Sequence, residues 1–369
     1  MSTLAHEELS TCAYGPRLCR HTCPVALGEA SETLNPSQKI ALLQWWKQGH
    51  ITLDDELAMV FYACNHCGGC TAACSHGQQP ARMLFKARQQ AVERGVVPAP
   101  VRRVLEISRK HGHPWGADSP ERHELPYNPK APIQFLPGAA SGWRVEEIKA
   151  QVEALRRVLG REVSVLPPDV TSGQSAWATG DRGWSLSVAE RLVNHIKQAD
   201  QLVVAEPFDE WYLREHFPDT GLVLPVTVTL LLSELATATI LNRSADWRGL
   251  QSTVLYHDPA PMGRQNRLTA QPRELLTQLG YSVIDFGRNR HHSSATGAGG
   301  IVRWTYAEGI RQNAAWLLQE VHETRKRLNM KTLPGVVTLG EASRSLLAES
   351  DPSLTILDLN VLLARTITQ

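Results

Sequence analysis

A multidomain architecture, an all-α N-terminal unit followed by a C-terminal α/β unit of two similar halves, is what this 369-residue sequence predicts. Three observations carry that expectation. Helix-capping signals punctuate the first 113 residues, prolines crowd the next stretch, and from residue 133 onward short apolar runs alternate with amphipathic segments. With 42% hydrophobic and 20% charged residues, the composition is that of an ordinary globular protein with room for two or three domains. A net charge of +1, from 38 basic and 37 acidic residues, argues against nucleic acid or an anionic membrane surface as a partner. The longest apolar run, Val226 to Leu241, is broken by Ser233 and Glu234 and is too short to span a bilayer. No transmembrane or N-terminal signal segment is expected, and the chain reads as cytoplasmic.

In the helical unit (1–113), Asn35-Pro36 offers a cap and a first-turn proline for a helix through Ile40, Leu43 and Trp46 that Gly49 ends. Thr52 to Glu56 starts another, whose apolar positions Leu57, Val60 and Phe61 lead directly into Cys64. Pro80 to Arg94 and Pro100 to Lys110 each begin near a proline and end before a glycine, Gly95 or Gly112. A proline-rich linker over 114–132 follows, since Pro114, Pro120, Pro126, Pro129 and Pro132 can continue neither a helix nor a central strand.

Beyond the linker (133–369), six strands are expected at 133–136, 163–166, 201–205, 253–256, 282–286 and 335–339, with helices between them, the signature of parallel α/β packing. The passages from Asp200 to Phe217 and from Gly335 to Asp351 share one layout: strand, polar turn, helix, acidic-proline pair. That suggests an internal duplication, with approximate repeats 133–242 and 243–369.

All seven cysteines lie in the first 74 residues, an odd number in ligand-like spacing that argues for metal rather than disulfides. Cys64, Cys67, Cys70 and Cys74 have the C-x2-C-x2-C-x3-C spacing with which bacterial ferredoxins hold cubane iron-sulfur clusters, the fourth cysteine serving a second cluster. A second group, Cys12, Cys19 and Cys23-Pro24, supplies the other half. The expected ligands of one [4Fe-4S] cube are therefore Cys64, Cys67, Cys70 and Cys23. The other site takes Cys12, Cys19 and Cys74 and lacks a fourth thiolate. Three readings stay open there: a [3Fe-4S] cluster, a [4Fe-4S] cluster with a non-cysteine or solvent ligand, or no cluster. A zinc site is the alternative for Cys64 to Cys74, but steps of three with a distant Cys-Pro fit a cube better than a tetrahedron. His21, His66 and His76 lie in or beside the motifs, and the ordinary reading of each is a solvated or backbone-bonded imidazole.

On these motifs and the helices of residues 80 to 110, the N-terminal part resembles the α-helical ferredoxin-like half of the heterodisulfide reductase CD-type proteins. That superfamily also includes the iron-sulfur subunits of glycolate oxidase and anaerobic glycerol-3-phosphate dehydrogenase. The likeness extends through Phe135-Leu136-Pro137-Gly138, Tyr256-His257-Asp258-Pro259, Gly263-Arg264, Pro272-Arg273, Gly297 to Gly300 and Val336 to Leu339. In that family the remainder holds two cysteine-rich CCG repeats, some of which bind noncubane clusters or act on thiols. Here the cysteines are absent: Ala139, Thr171-Ser172, Glu206 and Asp209 stand at those positions in the first half, and Ala260, Ala295-Thr296, Gly340 and Ser343 in the second. Gly15 likewise stands where some members carry the missing cysteine of the first motif.

The resemblance implies an electron-transfer subunit of a multisubunit oxidoreductase, with no catalytic residues of its own. Its partners would be flavin- or cluster-containing donor or acceptor subunits, at most peripheral to a membrane complex. A reductase using the open iron of the incomplete cluster, or a docking scaffold with structural clusters, are the alternatives. His257, Asp258, Arg264 and Arg273 are expected to brace a turn. Gly297 to Gly300 lacks the spacing of a phosphate loop.

Overall fold

The computed structural model describes residues 6–238 and 252–368. Up to His123 all its regular structure is helical: α1 (His6–Tyr14), α2 (Pro24–Gly28), α3 (Pro36–Lys47), α4 (Asp55–Tyr62), α5 (Gly69–Ala72), α6 (Pro80–Glu93) and α7 (Ala99–His111), then one turn at Pro120–His123. The capping signals act as the sequence suggests. Asn35 Oδ1 accepts from the Gln38 amide at 3.1 Å and Asp54 Oδ1 from the Leu57 amide at 2.8 Å, each satisfying an orphan donor at its helix start. Gly112, at φ 84, ends α7 in the left-handed conformation. Helix α1 carries no comparable signal and is held by burial of Leu9 and Ala13 against α3.

Two parallel four-stranded sheets follow. The first contains β1 (Ile133–Leu136), β2 (Val163–Val165), β3 (Gln201–Val204) and β4 (Thr227–Leu230) in the order β2-β1-β3-β4. The second contains β5 (Thr253–Tyr256), β6 (Ser282–Asp285), β7 (Gly335–Thr338) and β8 (Ile356–Asp358) in the equivalent order β6-β5-β7-β8. In register, Ile133 faces Val163 on one side and Gln201 on the other, and Val254 faces Val283 and Gly335. The six expected strands are present, and the edge strands β4 and β8 come in addition to them. β4 is only partly buried and lies inside the apolar run that begins at Val226, while β8 is three residues long and ends in a buried aspartate. The expected boundary at 242/243 falls outside the described residues.

The proline-rich stretch is not a loose tether. Pro120 occupies the first turn of its short helix, where a missing N–H costs nothing, and the buried Arg122 donates Nη2 to the Leu166 carbonyl at 2.7 Å.

One apolar core spans both sheets. Phe135 and Val203 of the first sheet share it with Tyr256 and Val337 of the second, and the C-terminal helix Leu359–Thr368 packs on the helix Val145–Leu159 of the first half. Two further cores tie the N-terminal helices to the sheets. Tyr62, Cys67 and Phe85 join Trp177, Leu202 and Trp211 in one; Cys23, Val25 and Ala63 join Leu255, Ile310 and Val336 in the other. At the crossing of α2 with the helix Ala307–Arg327, a Cβ on Gly28 would lie 1.8 Å from the Gly309 carbonyl oxygen, so the two backbones touch. Among the described residues no helix is long and apolar enough to cross a membrane.

Candidate metal centre

The cysteine run is positioned by α4, which ends at Tyr62 and delivers the chain into an irregular loop. Two residues turn the loop through left-handed conformations: His66 at φ 58 and Gly68 at φ 70, the latter capping α5, which carries Cys70. Cys74 follows α5, with its amide on the Thr71 carbonyl at 3.1 Å. Cys19 lies in the turn Leu18–His21, and Cys23 caps the proline-started α2. All seven cysteines are free thiols, none of them fully exposed.

Their mutual electrostatics link them. Cys12 feels Cys19 and Cys74, and burial with those neighbours pushes its thiol up to about 12. Burial raises Cys67 and, more strongly, Cys70, and both feel Cys23 and Cys64. Cys12 thus lies near Cys19 and Cys74, and Cys67 and Cys70 near Cys23 and Cys64. Cys19 also feels Cys23, and Cys70 feels Cys19, so the two expected sets adjoin. Among the described residues no group of His, Cys, Asp or Glu converges tightly enough for a single ion, as a zinc site would require. A cube is a larger guest, whose thiolates stand apart around it.

Two residues that the motifs do not single out support an anionic guest. Lys39, 1% exposed, donates Nζ to Cys23 Sγ at 3.3 Å and also to the Ala63 carbonyl. Arg88, 0% exposed, donates to the carbonyls of Phe61, Cys64 and Ala178 at 2.6–2.9 Å, and its Nη1 lies 2.9 Å from His66 Nε2. Burial pulls the Arg88 pKa down while the nearby Cys64 pushes it up. No carboxylate pairs with either cation among the described residues, and an uncompensated buried charge costs several kcal/mol. A thiolate-bound iron cluster would supply the missing negative charge, so the residues present fit the group. A signal existed in the sequence: Lys39 sits at helical spacing with Leu43 and Trp46, and Arg88 with Leu84 and Ala91, each a cation on an apolar stripe.

The α/β part grips the same loop. Arg264 Nη1 donates to the Cys67 carbonyl at 3.2 Å, Gln265 Nε2 to the His66 carbonyl at 3.3 Å, and Tyr306 Oη to the Met59 carbonyl at 2.7 Å. Arg264 therefore braces the cysteine loop as well as its own turn. Arg273 instead holds both Asp258 oxygens at 2.7–2.8 Å and Asp285 at 2.7 Å, and His257 lies between Thr338 Oγ1 and the Ser294 carbonyl. His66 is neither solvated nor bonded to backbone through its ring: it is buried against Arg88, Phe85 and Trp177, and burial lowers its pKa well below the usual range, leaving a neutral imidazole. His21 and His76 are exposed.

Gly15 has no room for a side chain as it stands. A Cβ there would lie 2.5 Å from the Thr11 carbonyl oxygen, the acceptor of the Gly15 amide, so restoring a cysteine requires the backbone to move.

In the first half, Ala139, Thr171, Ser172, Glu206 and Asp209 do converge, on a cavity of about 50 Å³, room for one or two waters. Phe208 fills the remaining space against Gly299. Ser172 Oγ donates to Asp209 Oδ1 at 2.7 Å, and Glu206 Oε1 accepts the Ala342 amide at 3.1 Å. Burial raises the Glu206 pKa well above the carboxylate range and that of Asp209 to about 6. Oxygen donors in so small a space offer neither the bridging thiolates nor the room of a noncubane cluster.

The helical cages define an iron-sulfur protein carrying [4Fe-4S] clusters, and residues 8–78 match the 4Fe-4S dicluster domain. The chain is related to reductase iron-sulfur proteins at low identity. It is 23% identical over 325 residues to a probable iron-sulfur-binding oxidoreductase, FadF, of Bacillus subtilis, covering 80% of this chain and 45% of that protein. It is 23% identical to one of the subunits of the dihydromethanophenazine:CoB–CoM heterodisulfide reductase of Methanosarcina acetivorans, covering 66% and 63% of the two chains. It is 25% identical to one of the subunits of the CoM/CoB fumarate reductase of Methanothermobacter marburgensis, covering 66% and 49%. The chain thus spans between about half and two thirds of the length of these relatives.

Proposed function

We propose that this chain is an electron-relay subunit of a multisubunit oxidoreductase. Cys23, Cys64, Cys67 and Cys70 hold a [4Fe-4S] cube, and Cys12, Cys19 and Cys74 hold an adjoining cluster that lacks a protein thiolate at Gly15. The clusters supply one-electron transfer. Lys39 and Arg88 balance the charge of the complete cage, Arg264 and Gln265 fix its loop, and the buried Cys67 and Cys23 shield one side of it from water.

The observation that supports this reading is the gathering of the seven cysteines into one adjoining group, beside a first-half centre built of Ala, Ser, Thr and carboxylates. The shared strand order of the two sheets supports two pseudo-repeats over 133–369 behind a cluster unit at 1–113 and the 114–132 linker. The relatives whose names call them subunits support a complex, and the exposed Tyr14, Leu18 and Trp45 near the three-cysteine set give a partner an apolar landing site.

The test is iron and sulfide counting with low-temperature EPR on anaerobically purified protein. Cys67→Ser is expected to remove the cube signal and leave the other, and Cys74→Ser the reverse; an oxidised-state signal assigns [3Fe-4S] to the second site. Protein that carries no iron and no broad visible absorbance after reconstitution refutes the proposal.

A further inference from the structure

A cleft of about 1420 Å³ opens between α6, the cysteine loop and the turn Pro261–Gln265, and no cysteine lines it, so it is distinct from both cages. Its floor is aromatic. Phe85 and Trp177 stack with ring centroids 4.3 Å apart, His216 lies 4.5 Å from Trp177, and Trp211 meets Trp177 edge-on at 6.0 Å. One wall is the cysteine loop itself, through His66, Gly68, Thr71 and Ala72.

The rim is basic. Lys47, Arg82 and Lys86 come from the helical side and Arg182, Arg264, Arg267 and Arg290 from the α/β side, against only Glu93, Glu215 and Asp219. That excess of four positive charges belongs to a chain whose total is +1, so the rest of the molecule is net acidic and the cleft is the local attractor for anions. Three polar groups of the lining, Trp177 Nε1, Arg264 Nε and Gln265 Oε1, are buried without a hydrogen-bond partner, an arrangement native interiors rarely leave unused. Ligand pockets typically hold about 300–1,000 Å³, so this cleft accommodates more than a small anion.

We propose that the cleft binds an anionic heteroaromatic ligand of the nucleotide class, a flat ring joined to a phosphate. The ring rests on His216, the half-buried outer member of a floor whose Trp177 and Phe85 are buried behind it, the phosphate is held by rim arginines, and the ligand lies alongside the loop that carries Cys64, Cys67 and Cys70. Aromatic stacking and cationic contacts are the two recognition terms such a ligand needs. Binding at this site does not depend on the relay reading, so either can fail alone.

The experiment titrates FMN, and separately NADH, into the cluster-loaded protein and follows quenching of ligand fluorescence, with inorganic phosphate as competitor. Saturable micromolar binding of one nucleotide is expected, and the choice between them identifies the ring. Reversing charge at two exposed rim positions, Arg82→Glu with Arg267→Glu, is expected to weaken binding about tenfold or more while leaving the visible cluster spectrum unchanged. No saturation by either nucleotide at millimolar concentration overturns the proposal, as does binding indifferent to the double reversal. Displacement by inorganic phosphate at equal affinity also overturns it, since the rings then contribute nothing.

Discussion

Replacing Lys39 with Met keeps the length and burial of the side chain while deleting its charge and its hydrogen bond to Cys23. The ammonium lies 3.3 Å from Cys23 Sγ, and the centre of a cube bound there lies a few ångströms further on. At a separation of about 6 Å and an effective dielectric constant near 20, one unit charge is worth roughly 3 kcal/mol to the added electron. At about 59 mV per 1.4 kcal/mol for a one-electron couple, Lys39→Met should lower the potential of the complete cube by about 100 mV. Redox titration monitored by EPR reads this directly, with iron content checked first so that a lost cluster is not mistaken for a shifted one. The three-cysteine cluster should move less, because Lys39 touches Cys23 rather than its ligands. A variant that keeps its iron and moves by less than about 20 mV would falsify the charge-compensation argument.

Two further outcomes follow from packing and burial. Gly28→Ala places a Cβ against the Gly309 backbone, so α2 must lift from its partner helix; a loss of about 1–3 kcal/mol in urea unfolding is expected, with faster cluster loss, because Cys23 sits at the N-cap of α2. Gly309→Ala, whose Cβ meets the Glu29 side chain first rather than backbone, should be milder although it disturbs the bond of the Gly309 amide to Glu29, and the opposite ranking would show that the crossing is looser than described. Burial raises Asp358 and Asp209 from 3.8 to about 6 and Glu341 from 4.5 to about 7. The unfolded chain therefore releases these protons first as pH rises. As far as these groups are concerned, stability is fully present at and below about pH 4 and falls from there to about pH 7, Asp358 alone costing roughly 3 kcal/mol once pH exceeds its folded value of about 6. Asp358→Asn should flatten the pH dependence of the urea midpoint between about pH 4 and 6.5, and an unchanged slope there would clear Asp358 of the cost.

The iron-sulfur motif, the capped helices α3, α4, α6 and α7 and six strands are legible in the sequence because each rests on local chemistry: thiol spacing, Asn or Asp caps, apolar runs. β4 and β8 are not, being edge strands whose short or half-exposed sequences carry little period-2 signal. Lys39 and Arg88 look like ordinary helix cations, since only the fold reveals that their stripe faces the cysteines. The basic cleft is invisible for a similar reason: its cations come from at least three distant segments and vanish in a net charge of +1. Only the family resemblance points to Gly15 as the place of a missing cysteine, whereas the missing room for a Cβ is a property of the turn.

Cys67 belongs to the core shared with the first sheet and Cys23 to the core shared with the second, while Cys64 and Cys70 stay half-buried. A cluster held by these four would be flanked by both sheets yet reachable from the side of Cys64 and Cys70. During synthesis the N-terminal cysteines emerge long before β5 to β8, which gives a donor an early window in which all four are open. Once the C-terminal half has closed, exchange of a damaged cluster would be confined to that remaining side, so closure of the fold narrows cluster repair to one face.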